Sequence, residues 1–225
     1  MNDISDMQNM NDIKHIFYIN LESRPDRQKH VESQLNSLGL KATRFNAITH
    51  KYGAIGCSLS HLMLLKHAKV NNLEHILIME DDITFLNPSQ FIQNINNCLS
   101  THKDFDVLLI AGNNMGEYEN LSKYCVKVNY CQTTTGYLVK KHYYDKLIQN
   151  YEEGIKNLIK YITTKNKKLI NYFSIDCYWF KLQKIDNWYL VVPLTIIQKS
   201  DYSNIEKKYV NYNNLMLNLD KSKNV

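Results

Sequence analysis

The stretch His75-Ile76-Leu77-Ile78-Met79-Glu80-Asp81-Asp82 constrains this chain more than any other: an unbroken apolar run that ends in three consecutive carboxylates. A segment apolar on both alternating faces suits a strand covered on both sides, as in a sheet flanked by helices. Ligands of open α/β sheets bind outside the carboxyl ends of the strands. Three acids at that place therefore point to a site. In extended backbone Glu80 and Asp82 face one way and Asp81 the other. A carboxylate pair with a third nearby offers the hard oxygens that magnesium or manganese take. Acids after a strand can also simply cap the next helix. Here Asn87-Pro88 fills that role, an N-cap residue followed by proline at the first helical position.

The flanking segments alternate in the same sense. Ile13 to Leu21 reads as a first strand, and Ser23-Arg24-Pro25-Asp26 opens a helix that carries Val31, Leu35 and Leu38 and stops at Gly39. Ala42 to Ile48 reads as a second strand, completing a βαβ unit of the kind that builds parallel sheets. A long helix over Cys57 to Val70 and another over Pro88 to Leu99 bracket the acidic strand. Further on, Phe105–Ile110, Val126–Val128, Thr133–Val139 and Trp188–Val192 read as β, Met115–Ser122 as loop. Lys141–Tyr151, Ile155–Ile162 and Phe173–Leu182 read as separate helices. The expected class is α/β, a mixed, mostly parallel sheet flanked by helices. With 225 residues the chain suits one domain over 13–205, after a disordered stretch 1–12 and before a polar, partly helical tail 206–225.

Several function classes are disfavoured. The net charge is +5 with lysines scattered along the chain, which gives no reason to expect nucleic-acid binding. Five cysteines without a CxxC spacing argue against a disulfide framework or structural zinc and fit a reducing compartment. Residues 1–12 lack the apolar core of a signal peptide, and no apolar run reaches the ~20 residues of a membrane span. The expectation is a soluble cytoplasmic protein, compatible with peripheral membrane contact. GxxxxGK[ST], GxGxxG and GxSxG are all absent from the sequence, which removes the common nucleotide fingerprints and the hydrolase elbow.

Other candidates are weaker alone. Asn20 ends the first strand, and Arg24 and Arg27 follow at a helix start, where the dipole disfavours cations. Their placement wants an anion, and guanidinium forks match phosphate oxygens. Ser60 and His61 lie in a helix-opening segment, Gly53 to His61; His61 alone reads as a satisfied buried histidine. Gly136, before Tyr137, marks a place where a ligand could approach the backbone. Asp176 is either a helix-start acid or a carboxylate directed at the site.

Together these segments resemble glycosyltransferase family 25, the lipopolysaccharide-glycosyltransferase and procollagen galactosyltransferase family. Phe17-Tyr18-Ile19-Asn20-Leu21 with Arg24-Pro25-Asp26-Arg27 resembles its opening motif, Gly53 to His61 its second and Ile78 to Asp82 its acidic motif. Thr135 to Val139, Ile175-Asp176 and Pro193 with Gln198 and Ser203 resemble the later ones. The order holds from about Ile16 to Ile205.

The resemblance implies a GT-A-type fold, a UDP-sugar donor, manganese (or magnesium) and inversion at the anomeric carbon. Glu80 and Asp82 would hold the metal, with Gln198 or Asp201 in place of the late histidine of many GT-A enzymes. Asn20, Arg24 and Arg27 would lie along the nucleotide, joined by Ser60, His61, Gly136 and Tyr137. Asp176, and after it Asp81, is the candidate base. The donor sugar would be galactose, glucose or N-acetylglucosamine, and the acceptor a glycan, glycolipid or protein, as in lipopolysaccharide biosynthesis. The lack of a signal peptide leans toward a cytoplasmic enzyme of a bacterium or virus. Two other readings stay open: a non-catalytic nucleotide-sugar or glycan-binding module of the same fold, and a metal-dependent phosphoesterase.

Overall fold

The computed structural model describes residues 7–164, 166–203 and 205–221. Its first half runs β1 (Ile16–Asn20), α1 (Pro25–Ser37), β2 (Thr43–Asn46), α2 (Gly53–Val70), β3 (His75–Glu80), β4 (Ile83–Phe85) and α3 (Pro88–Thr101). Short strands follow: β5 (Val107–Leu109), β6 (Asn113–Asn114), β7 (Tyr118–Ser122), β8 (Cys125–Val128), β9 (Cys131–Gln132) and β10 (Gly136–Lys140). Next come α4 (Tyr144–Tyr161), α5 (Lys167–Tyr172), α6 (Ile175–Tyr178), α7 (Phe180–Gln183) and β11 (Trp188–Val191). The chain closes with β12 (Ile196–Gln198), β13 (Asp201–Ser203), β14 (Lys208–Val210) and α8 (Asn213–Leu217).

β3 is the buried strand its sequence describes. Ile76 and Ile78 join the core beneath α2 and α4, while Leu77 and Met79 join the one shared with α1 and α3; all four are fully buried. Each such side chain contributes about 1.5–3 kcal/mol of burial free energy, so no shift of register is tolerated. The eight-stranded sheet has the order β2-β1-β3-β10-β5-β11-β8-β7. This is the expected α/β class, a mixed sheet flanked by helices. Parallel pairs do not predominate, however: three pairings are parallel and four antiparallel. Two reversed strands are the cause: β10 lies antiparallel between β3 and β5, and β8 antiparallel between β11 and β7. The parallel set β2-β1-β3 is the part that positions the site.

Local signals explain the helix limits. Asn87 caps α3 by accepting from the Gln90 N–H, with Pro88 at the first position. α1 ends before Gly39, which sits at φ +66. α2 begins at Gly53, four residues earlier than expected, and within its first turn Gly56 passes under Ile48: a Cβ there would lie 2.5 Å from the Ile48 carbonyl oxygen. The two helices expected over 141–151 and 155–162 are one, α4, running through Gly154. The helix expected over 173–182 is broken into α6 and α7, and 118–122, expected as loop, is the edge strand β7.

Of the stretch expected to be disordered, Met10–Asp12 forms a 3-10 turn capped by Asn9, with Met10 buried against the α3 side of the sheet. An apolar side chain fitted into a core accounts for that order; residues 1–6 lie outside the described residues. No helix among the described residues is long and apolar enough to cross a membrane.

Candidate active site at the carboxyl edge of the sheet

Because β1 and β3 are parallel, with Ile19 opposite Glu80, both strands end at one edge, and the chain after β2 arrives there too. A cavity of about 530 Å³ opens at that edge, of the size of a small-molecule site. Its wall includes Arg24, Arg27, the turn from Ala47 to Lys51, Ser60, His61 and the acidic triplet. The C-terminal region adds Gln198, Lys199, Tyr202, Ser203, Lys207 and Tyr212 to the wall.

The triplet does not continue as a strand. β3 stops at Glu80 and the chain turns through Asp81 and Asp82 into β4, so the expected alternation of faces breaks there. Arg27 Nη1 reaches both turn acids, 3.1 Å from Asp81 Oδ1 and 3.1 Å from Asp82 Oδ2. Asn20 Nδ2 donates to the other Asp81 oxygen at 2.8 Å. Asn20 is buried and does not line the cavity; it holds Asp81 from beneath.

Glu80 is held asymmetrically. Its Oε1 accepts from Thr134 Oγ1 at 2.8 Å, faces His61 Nε2 at 3.3 Å and receives the Cys57 thiol at 3.7 Å. Its Oε2 meets Gln198 Nε2 at 3.3 Å. Burial pushes the Glu80 carboxyl up, but the hydrogen bonds from His61 and Thr134 outweigh it and hold the group low and ionised. Asp82 goes the other way: burial first, then the charges of Glu80 and Asp81, push its carboxyl up despite Arg27. The buried Asp82 Oδ1 has no hydrogen-bond partner, a costly state for a carboxylate oxygen.

This donor set fits a divalent cation. Asp82 Oδ1 is a buried oxygen without a partner, and Glu80 Oε2 accepts only from the Gln198 amide. Gln198 sits against that oxygen, and its amide can turn its own oxygen inward. β12 pairs with β4, Gln198 opposite Ile83, and the Lys199 N–H donates to the Asp82 carbonyl at 2.7 Å. A chain distance of more than a hundred residues is closed by that ladder. Cys57, with His61 and Glu80, forms a compact cluster, but burial keeps its thiol far above the usual range and hence protonated.

Asp201, the other late acid, does not face the triplet. Its Oδ2 lies 2.6 Å from Arg24 Nη2 and 3.3 Å from Arg27 Nε. Ser60 accepts from the Ile48 N–H and donates to the Gly56 carbonyl, so its hydroxyl fixes the turn above it. Gly136 and Tyr137 are absent from the cavity wall. What approaches Gly136 is Ile110: a Cβ there would lie 2.6 Å from Ile110 Cγ1. Tyr137 is fully buried beneath His61. Asp176 also stands off the cavity wall, accepting from the Thr133 N–H at 3.3 Å. Burial first, and then the Glu80 charge, raise its pKa. Thr133 itself has φ +78, a rare conformation for a β-branched residue.

His50, Lys51, Lys199, Lys207, Tyr202 and Tyr212 line the cavity without having been expected there. Isolated cations and tyrosines carry no local pattern that would single them out.

Comparison with known proteins places this geometry in a family. The profile described as Glycosyltransferase family 25 (LPS biosynthesis protein) matches residues 51–175, more than half of the chain. A Glycosyltransferase 25 family member of Drosophila pseudoobscura pseudoobscura is 31% identical across 32% of this chain and 16% of its own length. One from Aedes aegypti is 31% identical across 32% and 17%. The match thus spans about a sixth of these curated relatives. Among solved structures, a glycosyltransferase involved in glycosylation of the major capsid of PBCV-1 is 11% identical, with 80% and 82% of the two chains covered and a TM-score of 0.46. The Drosophila β1,4-galactosyltransferase 7, in complex with manganese, UDP-Gal and xylobiose, is 15% identical over 59% and 51%, with a TM-score of 0.34. The matched span runs from the turn before α2 through the acidic triplet to the residue before Asp176, and this chain belongs to glycosyltransferase family 25.

Proposed function

We propose that the chain is a metal-dependent, inverting glycosyltransferase that moves a hexose from a UDP-sugar to a hydroxyl of a glycan, glycolipid or protein. The observation that carries the reading is the buried, unpartnered Asp82 Oδ1 together with the anchored Glu80, both residues lining a cavity that also takes Arg24 and Arg27 into its wall. Five carboxylates, Asp26, Glu80, Asp81, Asp82 and Asp201, gathered around two arginines suit a ligand that brings a cation and a diphosphate together.

Glu80, Asp82 and Gln198 would hold manganese or magnesium, which when bound supplies positive charge to the departing diphosphate. Arg24 and Arg27 bind the phosphate oxygens through their forks, in exchange for part of their pairing with Asp26 and Asp201 and with Asp81, Asp82 and Asp201 respectively. The turn 47–51, fixed by Ser60, forms the opposite wall. Inversion requires one carboxylate to take the acceptor's proton as its oxygen attacks opposite the leaving group. Asp176 is the first choice: burial raises its pKa, which makes it a better proton acceptor, and the Thr133 N–H holds its carboxylate in place. Asp81 is second, because Asn20 and Arg27 occupy both of its oxygens.

UDP release from a panel of UDP-sugars, with and without manganese, tests the reading. One donor should give manganese-dependent UDP release that falls at least about a hundredfold in Asp82→Asn. Release from no donor, while UDP still binds, would instead favour a non-catalytic binding module.

A further inference from the structure

Glu80 Oε1 is anchored by His61, and His61 is itself held by a chain of two buried phenols. Tyr151 Oη lies 3.2 Å from Tyr137 Oη, and Tyr137 Oη lies 2.8 Å from His61 Nδ1. The His61 and Tyr137 rings stack with centroids 5.6 Å apart. Tyr151 is 2% exposed; His61 and Tyr137 are fully buried. The three side chains come from α4, β10 and α2, so the chain crosses the core under the site.

Proton counting fixes the direction of this chain for a neutral ring. An ionised carboxylate only accepts, so His61 Nε2 carries the proton that goes to Glu80. Nδ1 is then an acceptor, and Tyr137 must donate to it. Tyr137's oxygen is left to accept from Tyr151, whose own hydroxyl proton is spent there. Every proton has one destination and none competes. We propose that Tyr137 and Tyr151 are positioning residues: through the His61 tautomer they lock Glu80 Oε1 to the protein and leave Oε2 as the oxygen offered to the cavity. The inference rests on the donor reading above in taking Glu80 as a cation ligand. Removing a hydroxyl from this chain frees His61 to rotate or change tautomer, and Glu80 Oε1 is then held by Thr134 and the Cys57 thiol alone, a looser anchor for the carboxylate.

Outer hydrogen bonds of this kind are worth about 10–100-fold in metal affinity or activity. Tyr144 supplies the control, since it lies on the same helix, is 2% exposed, and its hydroxyl has no partner. The experiment compares wild type, Tyr137→Phe, Tyr151→Phe and Tyr144→Phe by manganese titration followed by electron paramagnetic resonance, by UDP-sugar turnover, and by ¹⁵N shifts of the His61 ring. Tyr137→Phe should weaken manganese binding about tenfold or more, lower kcat at fixed manganese and leave the donor KM at saturating manganese unchanged. Tyr151→Phe should do the same to a smaller extent, and Tyr144→Phe should bind manganese as wild type does. The wild-type ring should show its proton on Nε2. A proton on Nδ1, unchanged manganese affinity in Tyr137→Phe, or an equal loss in Tyr144→Phe would overturn the proposal. Failure of the donor reading is distinguishable, because then the wild type itself neither binds manganese nor turns over, and the positioning role falls with it.

Discussion

Arg24 Nη2 lies 2.6 Å from the Asp201 carboxylate, so an arginine suited to phosphate is paired with an acid brought in by β13. Both side chains are mostly buried, which makes Asp201 a competitor for any incoming anion. In Asp201→Asn one of the two carboxylates on Arg24 is gone, Asp26 remaining at 2.8 Å, and UDP measured by calorimetry with manganese present should bind about two- to tenfold more tightly. Weaker, less manganese-dependent binding would make Asp201 a cation ligand instead.

Arg27 is the countercharge of the triplet's turn. Replacing it by alanine leaves Asp81 and Asp82 facing each other without the guanidinium that now bridges them. Loss of one partner of a buried pair costs about 3 kcal/mol, to be read as a fall in the urea midpoint. Manganese should recover part of that loss in Arg27→Ala. Arg27→Lys keeps the charge without the fork and should fall between the two.

Gly136 separates packing from ligand contact. A methyl group there would press on Ile110 Cγ1 at 2.6 Å and Cδ1 at 2.8 Å. Overpacking of this kind costs about 1–3 kcal/mol. Gly136→Ala should lower the midpoint accordingly while UDP affinity stays as in wild type; a selective loss of UDP binding at unchanged stability would place a ligand against this residue.

Acid sensitivity has an identifiable source away from the site. His75 is buried at the start of β3, accepting from the Lys14 N–H at 2.9 Å. Burial first, and then the neighbouring His15, depress its pKa to about 4. The unfolded chain, with its histidine near 6.5, binds the proton more readily. The stabilisation is therefore complete above about pH 6.5 and is lost as pH falls toward 4, by at most about 3 kcal/mol. His75→Gln should flatten that part of the stability profile; an unchanged slope between pH 6.5 and 4 would assign the loss to other groups.

What could be read from residues alone follows from how locally each feature is specified. β3 announces itself because both faces are apolar, and α3 because Asn87-Pro88 is a self-contained cap. The convergence of Asn20, Arg27 and the triplet follows from the parallel pairing of β1 and β3. The helices expected over 141–151 and 155–162 are joined through Gly154, where a Cβ would lie 2.9 Å from the Tyr178 ring, so it is a close-packing position within α4. β7 is missed because an edge strand with exposed Glu119 and Asn120 shows no apolar alternation. The cavity wall from Tyr202 to Tyr212 is invisible for another reason. Its position depends on β12 pairing with β4, a contact that no local pattern encodes. The buried role of Tyr137 is hidden likewise, since a tyrosine after a glycine looks the same whether it faces a ligand or a histidine.

The central claim is that Glu80 and Asp82 clamp a cation that in turn holds a uridine diphosphate donor. Calorimetry of UDP binding with manganese, with a chelator, and with Asp82→Asn tests it most directly. The account predicts UDP affinity that depends on manganese and drops at least about tenfold in the variant or in chelator. Equal binding under all three conditions would contradict it.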